Sequence, residues 1–158
     1  MPALSSPTIR VATLADLAAV VALEQACFAL DAQTGRSLRH LLTRAHGDFL
    51  VAVIDDGIVA DVVVLYRRGS RVARLYSIAV GPAARGRGVA AALLAQAERH
   101  AIARGCVVMR AEARWSNTAS RGLFAAAGYR ETARLADYYP GAGGGHEDGV
   151  RLQKHLDN

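Results

Sequence analysis

Short apolar runs and stretches with apolar residues every three or four positions divide this chain into elements. Thr8–Val11 reads as a short strand. Ala15–Phe28 carries Leu17, Val20, Val21 and Leu23 at helical spacing, and Ser37–Ala45 sets Leu38, Leu41 and Leu42 on one side of a second helix. Phe49–Ile54 and Ile58–Tyr66 are dense in Val and Ile, and Asp55-Asp56-Gly57 between them is a strong hairpin signal. A turn at Gly69-Ser70 leads into Arg71–Val80, so three antiparallel strands in series are expected. A glycine-rich turn follows, then an alanine- and leucine-rich helix over Gly88–Ala103 that Arg104-Gly105 terminates. Cys106–Glu112 reads as a strand, Asn117–Ala127 as a helix stopped by Gly128, and Tyr129–Tyr138 and Val150–Leu156 as the last strands. Pro140–Gly149 between them is rich in glycine and is expected to be a mobile loop.

The predicted order is β-α-α-β-β-β-α-β-α-β-β. Only Arg71–Glu112 has the form of a parallel β-α-β unit with a crossover helix, and the other connections imply antiparallel neighbours. The fold class is therefore α/β, with a mixed sheet and helices on its faces. A chain of 158 residues without an internal repeat is expected to be one domain, residues 1–158.

Composition narrows the partners. The apolar fraction of 52% is inflated by alanine, and no run approaches the length of a membrane span. The first residues lack a basic patch followed by an apolar run, so a soluble cytoplasmic protein is expected. The net charge is +5, and of the 19 basic residues only Lys154 is a lysine. That balance suits an anionic ligand. The arginines are dispersed, with no aromatic-interleaved basic stripe, so no nucleic-acid partner is expected. Cys27 and Cys106 are read as buried free thiols, and no cysteine–histidine cluster has metal spacing.

The segment Ser77-Ile-Ala-Val-Gly-Pro-Ala-Ala-Arg-Gly-Arg-Gly-Val-Ala90 carries the most chemistry. A strand, a turn containing Gly86 and Gly88, and a helix start can aim several backbone N–H groups at one anion, helped by the positive end of the helix dipole. A nucleoside-triphosphate loop would need a lysine after its last glycine, and the only lysine is at position 154. Gly86-x-Gly88-x-x-Ala91, with Glu112 downstream, fits a dinucleotide fingerprint, but hairpins precede it where that fold requires successive β-α-β units.

A third reading matches better. Arg85-Gly-Arg-Gly88-Val-Ala90 resembles the acetyl-coenzyme A signature Arg/Gln-x-x-Gly-x-Gly/Ala of the GNAT superfamily of N-acetyltransferases. Ser77-Ile-Ala-Val80 resembles the strand before that loop, and Asn117-Thr-Ala-Ser-Arg-Gly-Leu-Phe-Ala-Ala-Ala-Gly-Tyr129 resembles the family's Asn-x-x-Ala-x-x-Leu-Tyr-x-x-x-Gly-Phe helix. Glu112 before Asn117, and Asp137-Tyr-Tyr-Pro140 followed by Glu147-Asp148, are most similar to the bacterial branch that acetylates protein N-termini, typified by the ribosomal-protein alanine acetyltransferases.

The resemblance implies direct acetyl transfer from acetyl-coenzyme A to a primary amine in a ternary complex, without a metal. The preferred acceptor is a protein or peptide N-terminus. A small-molecule amine, or a non-catalytic coenzyme A-binding module, is the alternative. The protein is expected to be a monomer or homodimer. By the same resemblance the main chain from Arg85 through Gly86, Arg87, Gly88 and Val89 to Ala90 holds the pyrophosphate. Ile78, Ala79 and Val80 meet the pantetheine arm, with Asn117, Ser120 and Phe124 beside it. Glu112 is the implied base, acting through water. Asn117 equally suits a helix N-cap, and Glu112 equally suits pairing with Arg110 or Arg114. The family's acid is the tyrosine of a Leu-Tyr pair, but this chain has Leu123-Phe124. Tyr138 and Tyr139 are the candidates for lining the acceptor site and, secondarily, for acid duty.

Other residues have plainer readings. Trp115, Tyr66 and Tyr76 are candidates for lining the acceptor cleft, though core or rim packing is the plainer reading. His146-Glu147-Asp148 suits a solvated loop rather than a metal site. Arg67-Arg68 with Arg71 and Arg74 suits a charged hairpin face, or alternatively a patch that attracts an acidic acceptor.

Overall fold

A computed structural model describes residues 6–28 and 30–157; the N-terminal residues on which the reading of a missing leader rests lie mostly outside them. The strands are β1 (Thr8–Val11), β2 (Gly47–Ile54), β3 (Gly57–Leu65), β4 (Val72–Val80), β5 (Val108–Arg114), β6 (Arg130–Pro140) and β7 (His146–His155). The α-helices among the described residues are α1 (Leu17–Cys27), α2 (Gly35–Thr43), α3 (Val89–Ala103) and α4 (Thr118–Ala126). One seven-stranded sheet runs β1-β2-β3-β4-β5-β7-β6. Only β4–β5 is parallel, and the other neighbours are antiparallel. The mixed α/β architecture and its element order are those the periodicities predict.

Local chemistry accounts for the turns. Ile54 pairs with Gly57, so the β2–β3 loop is the pair Asp55-Asp56, with φ of 50° and 65°. Two successive left-handed residues match the right-handed twist of the strands they join. Gly57 is the first residue of β3 rather than part of the bend.

Alternation distributes the core over both faces. Leu50, Val62, Val64 and Leu75 meet α3 residues Leu93, Leu94 and Ala97, together with Phe124 and Tyr129. Phe49, Val51 and Val63 meet Val20 of α1 and Leu38 of α2 on the other side. Glu24 and Asp61 share that second side, and both are fully buried. None of their four carboxylate oxygens has a hydrogen-bond partner among the described residues. Desolvation raises Glu24 to about 7, and desolvation plus the Glu24 charge raises Asp61 well above its usual range. Both acids therefore favour the protonated form.

The expected loop over Pro140–Gly149 is largely strand. Pro140 pairs with His146 and Tyr139 with Glu147, leaving residues 141–145 as the connection. Glu147 accepts hydrogen bonds from Arg114 and the Ser116 N–H, and Asp148 accepts from Arg134 and the Asp137 N–H. Glycine content concealed these pairings. At Gly149 it is required by packing, because a Cβ there would come 2.9 Å from Tyr139 Cε2.

The buried pair has a measurable consequence. Glu24 binds its proton more tightly in the folded state, so its contribution is fully present below the unfolded value near 4.5 and is lost as pH rises through about 7. The loss is of order 3 kcal/mol. The thermal stability of the protein should fall from pH 5 to pH 7.5, and Glu24→Gln should flatten that dependence. Parallel pH profiles for the two proteins would contradict it.

Candidate active site

The site begins where β4 and β5 part. Their pairing consists of Val72 with Val108, Ala73 with Met109 and Arg74 with Arg110. Beyond Arg74 each strand continues, β4 to Val80 and β5 to Arg114, without facing partners. The separation coincides with an irregularity in β4, where Val63 pairs with Ser77 but Val64 with Leu75, leaving Tyr76 as the extra residue.

The free edge of β4 has a defined phase. The Gly81 N–H donates to the Val59 carbonyl at 2.8 Å. Alternation along the antiparallel ladder then directs Ala79 and Ser77 toward β3, and turns the N–H and C=O of Ile78 and Val80 into the gap. The Val80 carbonyl accepts from Arg85 Nε at 3.1 Å and from the Cys27 thiol at 3.4 Å. The Arg85 side chain thus braces the strand end. Cys27 is half-buried rather than buried, and burial pushes its thiol up.

The turn after β4 forms one end of a cleft of about 620 Å³. Gly86 and Gly88 have φ of 75° and 74°, a left-handed conformation that favours glycine, and a Cβ on either would project into open space. Gly88 is the N-cap of α3. The N–H groups of Val89, Ala90 and Ala91 belong to the first helical turn and have no acceptor inside the helix. Ile78, Ala79, Val80, Arg85, Gly86, Gly88, Val89, Ala90, Asn117 and Ser120 line this cleft, whereas Arg87 lies in the turn outside the lining.

A second cavity of about 310 Å³ lies at the base of the gap, where the strands begin to part. It shares Phe28, Ile78, Asn117 and Ser120 with the first, so the two meet between the parted strands. Its walls include Glu112, Phe124, Tyr138 and Tyr139, and also Asp31, Gln33, Arg74 and Tyr76. Asn117 caps α4, its Oδ1 accepting from the Ser120 N–H at 3.0 Å, and its amide NH₂ is not used in that bond. Phe124 is buried, edge-on to Tyr129 at 5.0 Å, and has no proton to give.

Glu112 sits on β5 with its carboxylate 3.5 Å from Arg74 Nε. Its partner is therefore Arg74, across the base of the gap, and not Arg110 or Arg114 on its own strand. Arg114 instead forms paired hydrogen bonds of 2.8 Å to Asp31 and a 3.1 Å bond to Glu147, and lies over the Tyr139 ring at 4.8 Å. The Asp31 and Glu147 hydrogen bonds raise its pKa. This one guanidinium ties the α1–α2 connection to the β6–β7 hairpin. Tyr138 and Tyr139 meet edge-on at 4.9 Å, in a bulge marked by the positive φ of Asp137. Burial raises Tyr139, so its hydroxyl keeps its proton.

Trp115 is a rim residue held between Arg121 and Arg134, and Tyr66 donates its hydroxyl proton to Asp48 away from the gap. Among the described residues no group of three metal-binding side chains converges.

A family model of the acetyltransferase (GNAT) family matches residues 17–129. The chain belongs to the GNAT acetyltransferase family. It is an N-acetyltransferase, and its family takes the acetyl group from acetyl-coenzyme A. Solved structures of the same fold include the ribosomal-protein-S18-alanine N-acetyltransferase of Escherichia coli, at 23% identity and a TM-score of 0.86 over 97% of this chain and 96% of that one. The ribosomal-protein-alanine N-acetyltransferase of Brucella melitensis is similar at 26% identity and a TM-score of 0.81 over 94% and 99%. An IAA acetyltransferase of Bacillus cereus is similar at 21% and 0.77 over 96% and 100%.

The residues present in this GNAT protein suit acetyl-coenzyme A. The left-handed glycine turn and the α3 N-terminus offer N–H groups to a pyrophosphate, and Ile78 and Val80 offer extended backbone to an amide-bearing arm. Gly88→Glu forces a side chain into the left-handed region and places a carboxylate where an anion would sit. Calorimetric titration with acetyl-coenzyme A should show binding weakened by at least about 100-fold, given roughly 1–2 kcal/mol of strain plus charge repulsion. Affinity equal to that of the unaltered protein would remove the turn from the cofactor site.

Proposed function

We propose that this single-domain enzyme acetylates the α-amino group of a protein or peptide by direct attack within a ternary complex. The observation that carries the reading is the continuity of the two cavities through the gap between β4 and β5, with Glu112 on the acceptor side of the junction. One ligand enters along the glycine turn and the other past Tyr138 and Tyr139, and their reacting ends meet beside Ile78 and Asn117.

The cofactor supplies an acyl carbon already activated as a thioester. This chain orients it and handles protons. The Ile78 or Val80 N–H, turned into the gap, polarises the carbonyl. An α-ammonium group has a pKa of about 7.7–8.0 and loses its proton readily near neutral pH. Glu112 takes that proton through a water, and Arg74 at 3.5 Å holds the carboxylate in place. The amine nitrogen bonds to the acyl carbon, the carbon–sulfur bond breaks, the sulfur leaves as thiolate, and the nitrogen's remaining extra proton passes to water as the amide forms. Coenzyme A resembles a cysteine thiol of pKa about 8.5, so the thiolate leaves acceptably without full protonation. Tyr139, kept protonated by burial in the same cavity, is the available donor in place of Phe124.

An N-terminal acceptor is supported by the likeness to the Brucella ribosomal-protein-alanine N-acetyltransferase and by the mouth of the cavity. There a partly exposed Tyr138 and the Arg114 bridge frame an opening between the α1–α2 connection and the β6–β7 hairpin. Soluble expression and action on cytoplasmic proteins belong to the same proposal.

Glu112→Gln should lower kcat by roughly 100-fold at pH 7. The deficit should shrink above pH 8, where the amine deprotonates unaided, and affinity for acetyl-coenzyme A should be retained. Thiol release with a peptide bearing a free N-terminus reads this directly. A rate equal to the parent's at every pH would remove Glu112 from the base position.

A further inference from the structure

The two faces of the C-terminal half of the sheet differ in cover. Ala111, Ala113, Val150 and Leu152 point to the side of α3 and α4 and are buried. On the opposite side α1 and α2 pack on β2, β3 and β4. The residues of β5, β7 and β6 that point there include Val108, Ala133 and Leu135 but are otherwise mostly polar. Direct cross-strand partners share a face, and the register places Arg74 beside Arg110, Arg110 beside Gln153, and Gln153 beside Arg130. In the next row Glu112 lies beside Arg151.

Charge on this face is unbalanced. Arg74 is matched by Glu112. Arg110, Arg151 and Arg130 form no ion pair among the described residues, and the Nε atoms of Arg110 and Arg151 are shut off from solvent without a hydrogen-bond partner. Arg130 is exposed and the other two partly so. Strands about 4.8 Å apart set these side chains within about 5–12 Å of Glu112 along the sheet. An extended polypeptide rises about 3.3 Å per residue, so an acceptor with its α-amine at Glu112 lays its second to fifth residues over them.

We propose that the face of β5, β7 and β6 bearing Arg110, Arg151 and Arg130 docks an acidic stretch just downstream of the acceptor's N-terminus. Carboxylates there pair with the exposed parts of guanidinium groups that have no acidic partner within the described residues. The proposal rests on the N-terminal acceptor reading and deepens it, giving the enzyme a preference by charge beyond the first residue.

The test uses two peptides sharing an N-terminal alanine, with glutamates or glutamines at positions two to five. Thiol release should give kcat/KM about tenfold higher for the glutamate peptide, carried by KM and fading with added salt. Arg130→Gln, whose exposed side chain leaves folding undisturbed, should cut the ratio, and Arg110→Gln/Arg151→Gln should bring it below about twofold. In parallel, fluorescence anisotropy with N-terminally blocked, labelled versions reads docking without turnover. Equal binding of the blocked peptides, or a glutamate preference that survives all these substitutions, overturns the proposal. A labelled single-stranded RNA binding this face in preference to the glutamate peptide also overturns it. Acetylation of neither peptide, with glutamate-dependent docking intact, would count against the N-terminal acceptor reading while leaving the docking face standing.

Discussion

The interruption of one parallel strand pair governs this structure. An uninterrupted β4–β5 ladder would satisfy its backbone groups internally and leave no route through the sheet. Here the pairing stops at Arg74 and Arg110, and both strands continue past that point. Backbone donors and acceptors on two diverging edges are thereby exposed to a common space. Such groups are costly to leave unpaired, and an extended, amide-bearing ligand is the occupant proposed for the gap. The extra residue at Tyr76 and the bracing of the Val80 carbonyl by Arg85 and Cys27 hold β4 in the parted position.

The two ends of that gap are made by different means. At the open end the chain uses backbone, with two left-handed glycines and the first turn of α3. At the base it uses side-chain charge. Arg114 joins Asp31 to Glu147 and covers Tyr139, fixing two otherwise independent segments around one cavity. Rim ion pairs of this kind contribute little to stability when exposed. Arg114 is mostly buried and bidentate, so its role is positional. Gly149 fits the same logic, since the tyrosine pair can lie over β7 only where no Cβ stands.

Much of this was legible from residue order. Helical and strand periodicities gave the element sequence and the single parallel unit, and the glycine turn and Asn117, singled out from the sequence, line one cleft. What escaped was tertiary. Pro140–Gly149 looked like loop because its composition is that of turns, yet Glu147 and Asp148 are pinned by Arg114, Ser116 and Arg134 from other elements. The partner of Glu112 proved to be Arg74, a neighbour only through β4–β5 pairing. Asp31 and Gln33 enter the site from segments with no motif of their own, whereas Tyr76, a candidate cleft residue from its position, does line it. Glu24 and Asp61 did leave a trace: a carboxylate four residues after Val20 on the apolar face of α1, and another between Ala60 and Val62 in an apolar strand. Their pairing could be seen only once α1 was laid on β3.

The central claim is that the space between the diverging ends of β4 and β5 admits the thioester arm. A crystal structure with bound acetyl-coenzyme A measures it directly. The account predicts the diphosphate on the Gly86–Val89 backbone, the arm hydrogen-bonded to Ile78 and Val80, and the acetyl group facing Glu112. An arm that runs outside the sheet, with β4 and β5 closed against each other, would contradict it.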